Sequence, residues 1–330
     1  MFTLHDIYHA QKIIRPHIFR TALRESFLLS ETLRPSTVAQ DAQGDGARVF
    51  LKLENWQITG SFKVRGAVNM MAQMSDAERA RGIVTASAGN HALGVAFAAR
   101  AFNIAPALIF VPRTAPRAKL DKLREFAVEV RAVGDTYDDA HHAADAFARE
   151  TGATFIHAYD DPRTVTGQGT IGLEILEDLP DVDAILVPVG GGGMIAGIAV
   201  AVKALAPNVQ IIGVQPAASP ALRDSIRDGK CYEEYNAAPT ICDGLAGGIG
   251  KIVFEIAQKK LIDDVIVVEE AETRSAVRAL AETQQLIVEG SGAVGIAALL
   301  ARKNAFRGKR VAVVLSGGNI DLALLKEILG

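Results

Sequence analysis

One lysine in this chain sits where its amine is easiest to deprotonate. The run Leu51-Lys52-Leu53-Glu54-Asn55-Trp56-Gln57-Ile58-Thr59-Gly60-Ser61-Phe62-Lys63-Val64-Arg65-Gly66-Ala67 puts Lys63 between an aromatic and a β-branched residue, just after a Thr-Gly-Ser turn. That composition predicts a helix start with Ser61 as the N-cap. Lys63 then falls in the first helical turn, where the positive end of the helix disfavours an ammonium. The apolar neighbours act in the same direction, because burial penalises the charged form. A lysine that releases its proton readily can form a Schiff base with an aldehyde. An ordinary surface lysine is the rival reading, and only further motifs weigh against it.

The next motif is the run Gly190-Gly191-Gly192-Gly193, between an apolar stretch at 184–189 that reads as a strand and one at 194–202 that reads as a buried helix. Residues without Cβ let consecutive N–H groups converge on one point, and the helix adds its dipole. The dipole contributes ~0.3–1 kcal/mol. Each hydrogen bond to a charged group contributes ~1.5–3 kcal/mol, so the amides dominate any grip on a phosphate. A tight turn between closely packed elements is one rival. A dinucleotide site built on Gly191-x-Gly193-x-x-Ala196 is another. It is weakened because the strand at 210–214 ends at Gln215 and not at an acid. Two more motifs follow strands: Thr85-Ala86-Ser87-Ala88-Gly89-Asn90-His91-Ala92 and Leu315-Ser316-Gly317-Gly318-Asn319-Ile320-Asp321. A capping serine is the plain reading of Ser316, and a structural hydrogen bond that of His91.

In order and spacing, and over nearly the whole chain, these four motifs resemble the threonine dehydratase and serine racemase family of pyridoxal-phosphate enzymes. That is fold type II, the tryptophan synthase β-like class. The resemblance implies that Lys63 carries pyridoxal 5'-phosphate as a Schiff base beside Phe62. Gly190, Gly191, Gly192, Gly193 and Met194 then hold the phosphate, Asn90 meets the phenolic oxygen and Ser316 faces the pyridine nitrogen. A serine hydroxyl can bond that nitrogen but is too weak an acid to keep it protonated. The backbone of Ser87, Ala88, Gly89, Asn90 and His91 cradles the substrate carboxylate. Gly244 in Asp243-Gly244-Leu245 and Glu289 in Ile287-Val288-Glu289-Gly290-Ser291-Gly292-Ala293 are assigned near the ring, with helix capping the rival for Glu289. The implied reaction is dehydration and deamination of a β-hydroxy amino acid, L-threonine or L-serine, to a 2-oxo acid and ammonia. Lys63 takes the Cα proton.

Three departures refine that expectation. Racemase members carry a serine acid/base where Ala88 stands. Racemase-type members bind a divalent ion through an acid just before Pro216, where this chain has Gln215, with Ser219 and Ala221 beyond, so no metal is expected. The chain ends soon after Asn319, which leaves no room for a C-terminal regulatory domain, and feedback by isoleucine is not expected. Serine racemase is the alternative reading, with dehydratases for 3-hydroxyaspartate, phenylserine or a hydroxyectoine-breakdown substrate. A cysteine-synthase-like transferase usually has threonine where His91 stands. A non-enzymatic amino-acid sensor is the remaining rival.

The elements that must position these residues alternate strand and helix: strand 106–111, helix 116–127 with Pro116 in its first turn, strand 128–133, helix 136–150 closed by Gly152, strand 153–157. That rhythm predicts an α/β fold with parallel sheets covered on both faces. The 330 residues suggest two domains. The resemblance makes 82–158 a small domain inserted in a large one, 1–81 and 159–330, with the site in the cleft between. It also implies a homodimer or homotetramer. With 49% apolar and 22% charged residues and a net charge of -3, the chain has no nucleic-acid or membrane footprint. Cys231 and Cys242 read as reduced thiols, and residues 1–6 lack a secretory signal, so a cytoplasmic protein is expected. The uncharged stretch 184–202 is broken by Pro188 and the glycines, unlike a membrane span. His141 and His142, adjacent on a helix, diverge too far to share a metal and read as a solvated face. Asp138-Asp139 and Asp160-Asp161 read as helix-start or loop acids. Gly167-Gln168-Gly169-Thr170 reads as a structural lead-in to a helix.

Overall fold

The computed structural model describes residues 2–33, 47–115 and 117–330. Among the described residues the strands, in chain order, are β1 (Leu23–Glu25), β2 (Arg48–Lys52), β3 (Ile83–Ala86), β4 (Ala107–Val111), β5 (Glu129–Ala132), β6 (Thr154–Phe155), β7 (Ala184–Pro188), β8 (Gln210–Pro216), β9 (Asp264–Val268) and β10 (Arg310–Val314). They form a six-stranded sheet, β1-β2-β10-β7-β8-β9, and a four-stranded sheet, β5-β4-β3-β6. β1 runs antiparallel to β2; every other ladder is parallel. The predicted α/β class with parallel sheets is therefore what the chain adopts. β3, β4 and β7 are buried along their whole length, as strands covered on both faces must be.

Period-2 alternation divides the large core into two halves. Leu186 and Val313 face one apolar cluster, which includes Val294 and Ala298 of helix Gly290–Ala301. Ile185, Val187, Ala312 and Val314 face the other, with Val165 and Ile171 of helix Pro162–Asp178 and Ile198 of helix Gly193–Leu205.

Two of these helices touch backbone to backbone: a Cβ at Gly197 would lie 2.4 Å from the Val165 carbonyl, and one at Gly169 would lie 2.9 Å from the Gly197 carbonyl. Gly167-Gln168-Gly169-Thr170 lies within helix Pro162–Asp178, not ahead of it, and its two glycines face backbone too close to admit a Cβ. The same helix packs on Lys63–Ala72, so one helix positions both the lysine-bearing helix and the helix after the glycine run.

Helix Tyr137–Thr151 has the predicted ends, a Thr136 side chain accepting from the Asp139 N–H and Gly152 in the left-handed region at φ 74°. Helix Arg117–Leu123 stops short of the predicted 127, and Pro116 lies outside the described residues. The strand expected at 153–157 is only β6, and by Ala158 and Tyr159 the chain lines the cavity described below.

Candidate active site

The loops at the C-terminal ends of the strands of both sheets enclose a cavity of about 690 Å³. That lies within the ~300–1,000 Å³ of small-molecule sites. Its walls include Phe62, Lys63, residues 87–91, the run 190–194, Gly244, Glu289 and Ser316. Every residue that the resemblance assigns to the cofactor or to the substrate carboxylate lines this one cavity.

Lys63 opens helix Lys63–Ala72, but the N-cap is Phe62 and no side chain caps the helix. Ser61, the predicted cap, is buried with no hydrogen-bond partner for its hydroxyl. Backbone pairing replaces the cap. Ser61 bridges Gly317, the Phe62 N–H donates to the Ser316 carbonyl at 3.1 Å, and the Gly318 N–H donates to the Gly60 carbonyl at 2.9 Å. The lysine loop and the serine loop are therefore one structural unit. The Lys63 Nζ donates to the Ala158 carbonyl at 3.1 Å and lies 5.2 Å from the Phe62 ring centroid. Desolvation pulls the Lys63 ammonium down to about 8, with the Glu289 carboxylate opposing.

At the glycine run, Gly192 is the left-handed N-cap of helix Gly193–Leu205, with φ 88° and no side-chain cap. The amides of that first turn have no intrahelical acceptor, and Gly193 and Met194, which carry the first two, line the cavity. A Cβ at Gly191 would lie 2.3 Å from the Tyr159 ring. The tight-turn reading is met, and the same turn leaves uncapped helix amides beside the cavity. Gln215, at the end of β8, is fully committed elsewhere. Its Oε1 accepts from the Leu222 and Arg223 N–H groups at 3.0 and 3.1 Å, and its Nε2 donates to the Val189 carbonyl at 3.3 Å.

Glu289 occupies the N-cap position of helix Gly290–Ala301, yet its side chain makes no capping bond. Its Oε1 instead accepts from the Asn90 Nδ2 at 2.7 Å, across the cleft. Ser316 Oγ donates to the Ser291 carbonyl at 3.4 Å, and Ser291 Oγ accepts from the Gly244 N–H at 3.0 Å, which ties three cavity-lining loops together. His91 Nε2 lies 2.9 Å from the Ile156 carbonyl. A carbonyl only accepts, so Nε2 carries the proton. Burial pushes His91 down to about 3, so the ring is neutral, and its buried Nδ1 has no partner. Helix Asn90–Ala101 also starts without a side-chain cap, which leaves the amides of that turn for a ligand.

Several neighbours were not singled out from sequence. Tyr159 walls the glycine run, and Asn319, inside a quoted motif, donates from Nδ2 to Asn90 Oδ1 at 2.8 Å. Tyr159 carries no sequence signal, because its role is only to pack on glycines distant in the chain. His141 is not on a purely solvated face: it is half-buried, with its ring 5.3 Å from Phe155 and 6.2 Å from His157. Asp161 accepts from the Arg163 N–H at a helix start, and Asp160 accepts from the Ile252 N–H. Among the described residues no group of three or more His, Cys, Asp or Glu side chains is placed to hold a metal ion.

Comparison with known proteins agrees with this geometry. Residues 14–317 match the family described as pyridoxal-phosphate dependent enzymes. The chain is 46% identical over 330 residues to an L-threonine ammonia-lyase of Thermotoga maritima, covering all of this chain and 78% of that one. It is 37% identical over 328 residues to the catabolic L-threonine dehydratase TdcB of Escherichia coli, covering 98% and 95%. Among solved structures, the processed threonine deaminase isoform 2 of Solanum lycopersicum superposes with a TM-score of 0.90 at 34% identity, covering 98% of this chain and 86% of that one. Maize serine racemase superposes with a TM-score of 0.88 at 32% identity, covering 98% and 96%.

Proposed function

This chain belongs to the family of pyridoxal-phosphate-dependent enzymes, and from that premise we propose that it is an ammonia-lyase of the threonine and serine dehydratase type. Its reaction is dehydration and deamination of a β-hydroxy amino acid, L-threonine or L-serine, to a 2-oxo acid and ammonia. The observation that carries the reading is similarity to L-threonine ammonia-lyases over 98–100% of this chain, in a chain whose lysine, glycine run and asparagine loop share one cavity.

The residues present fit pyridoxal phosphate. A partly buried lysine with a lowered pKa faces the cavity, two uncapped helix starts offer N–H groups to a phosphate and a carboxylate, and Ser316 offers a neutral hydroxyl. The cofactor supplies an aldehyde for the substrate amine and a ring that draws electrons from Cα. The chain does the rest. The run 190–193 with Met194 holds the phosphate, while Asn90, Phe62, Gly244 and Glu289 bound the ring. The backbone of 87–91 orients the carboxylate. Lys63, as free amine, takes the Cα proton, and hydroxide leaves Cβ. Ser316 is too weak an acid to hold a ring nitrogen charged, which favours prompt loss of the β-hydroxyl.

Serine racemase is the second reading, favoured by the structural likeness to the maize enzyme. Against it stands Ala88, whose methyl has no proton to give. A panel of β-hydroxy amino acids scored for 2-oxo acid, ammonia and D-serine tests both. Release of 2-oxo acid without D-serine is expected; D-serine as main product overturns the lyase reading. Ala88→Ser should add racemisation.

We assign residues 82–158 to a small inserted domain, because β3, β4, β5 and β6 all fall within it. A homodimer or homotetramer is supported by Phe19, Trp56 and Ile58, which are 54, 54 and 39% exposed and held side by side by the Gln57 amide bonded to both Phe19 backbone groups. Two free cysteines favour a cytoplasmic location.

A further inference from the structure

A single hydrogen-bond chain crosses the cleft three times. Lys122 Nζ donates to Asn319 Oδ1 at 3.1 Å, Asn319 Nδ2 donates to Asn90 Oδ1 at 2.8 Å, and Asn90 Nδ2 donates to Glu289 Oε1 at 2.7 Å. Asn319 Nδ2 also donates to the Thr59 carbonyl at 2.9 Å. Lys122 and Asn90 come from helices Arg117–Leu123 and Asn90–Ala101, beside the four-stranded sheet; Asn319 and Glu289 come from loops of the six-stranded sheet.

The chain has one permitted direction. An ammonium only donates, and a carboxylate or a backbone carbonyl only accepts. Lys122 therefore demands the oxygen of Asn319, and Thr59 demands its nitrogen. With its nitrogen forward, Asn319 demands the oxygen of Asn90, so Asn90 must turn its NH2 toward Glu289 and the cavity. Nδ2 carries two hydrogens and only one is used by Glu289, so the other is left for a ligand oxygen. Cation at one end and anion at the other polarise every link in the same sense.

We propose that Asn319 and Lys122 are positioning residues that fix the Asn90 amide as a donor toward the cofactor site and make that orientation depend on the two sides of the cleft being together. The inference rests on the pyridoxal-phosphate reading above. Asn319→Asp is the sharpest perturbation. It keeps the shape and the pairing with Lys122, but a carboxylate cannot donate to Asn90 or to Thr59. Asn90 must then flip and set its oxygen against Glu289. Lys122 is exposed, so Lys122→Met and Lys122→Arg leave the core intact.

The test titrates each apoprotein with pyridoxal phosphate, follows the absorbance of the bound cofactor and its pH titration, and melts the apoproteins in parallel. Asn319→Asp should bind at least tenfold more weakly and shift the spectrum or its titration, with an apoprotein melting temperature within a few degrees of wild type. Lys122→Met should lose two- to fivefold, and Lys122→Arg should restore wild-type binding. Asn319→Asp within twofold of wild type with an unchanged spectrum overturns the proposal, as does Lys122→Arg matching Lys122→Met. If Asn319→Asp does not fold, the Lys122 pair decides. A wild-type protein that takes up no cofactor overturns the functional reading as well; one that does isolates the failure to this chain of bonds.

Discussion

Two residues beyond Lys63, Arg65 is fully buried and spends all its N–H groups on protein acceptors. Its Nε and one terminal nitrogen clasp Glu54 at 2.8 and 2.8 Å; its terminal nitrogens reach Glu174 at 2.8 and 2.8 Å and Thr170 at 3.0 Å. Lys52, also buried, donates to Glu174 at 2.5 Å and to the Thr21 carbonyl at 2.6 Å. Two cations thus meet two anions in the core beneath the candidate Schiff-base lysine. Glu174→Gln leaves two cations facing one carboxylate and turns an amide N–H toward existing donors. Removing one partner of a buried ion pair costs about 3–5 kcal/mol, a large part of the ~5–15 kcal/mol that holds a typical protein folded.

Urea unfolding of the apoprotein at neutral pH should show that loss as a lower midpoint. Adding Lys52→Met returns the cluster to one cation and one anion, and should recover at least about 1 kcal/mol through coupling between the two sites. The pH dependence supplies an independent check. Burial by itself raises the Glu174 carboxyl, yet Arg65 and then Lys52 hold it below the usual range. A carboxyl lowered on folding stabilises above its unfolded pKa and loses that contribution as pH falls through the folded value. The gap between wild type and Glu174→Gln should therefore narrow as the solution is acidified below about pH 4.5, the ordinary glutamate value. A loss under 1 kcal/mol at neutral pH, or no recovery on adding Lys52→Met, would refute the reasoning.

Gly191→Ala places a methyl 2.3 Å from the Tyr159 ring; pyridoxal-phosphate affinity should fall at least tenfold by absorbance titration, and pairing it with Tyr159→Ala should restore part of the loss. Desolvation sets the Lys63 ammonium at about 8, so the rate at which the apoprotein forms a borohydride-trappable imine at this residue should rise with pH and reach half its plateau near pH 8. A midpoint near the ordinary lysine value would mean that burial does not tune the amine. His91, held down to about 3 and hydrogen-bonded through Nε2, should show nitrogen NMR signals of the neutral Nε2–H form from pH 5 to 8; a titration in that window would contradict the assignment.

Much of the site is legible in the sequence because its chemistry is local. A turn able to offer converging amides to a phosphate needs consecutive residues without Cβ before a helix, and Gly190-Gly191-Gly192-Gly193 has that local make-up whatever the rest of the chain does. Strands and helices alternate audibly in the hydrophobic pattern, and Thr136 and Gly152 bound their helix as short-range capping requires. What escaped is everything that depends on partners far apart in sequence. Ser61 reads as a cap, but the serine loop more than 250 residues later captures the backbone on either side of it. Glu289 reads equally well as a helix cap, and only the approach of Asn90, 199 residues away, turns its carboxylate across the cleft. Gly167-Gln168-Gly169-Thr170 reads as an irregular lead-in until the crossing at Gly197 shows a helix thinned to let another backbone pass. Sequence determined which groups can hold a phosphate and carry an imine, since those demands are met within one turn of chain. The packing of two sheets across a cleft decided which side chain faces which, because direction, burial and hydrogen-bond polarity exist only once distant segments meet.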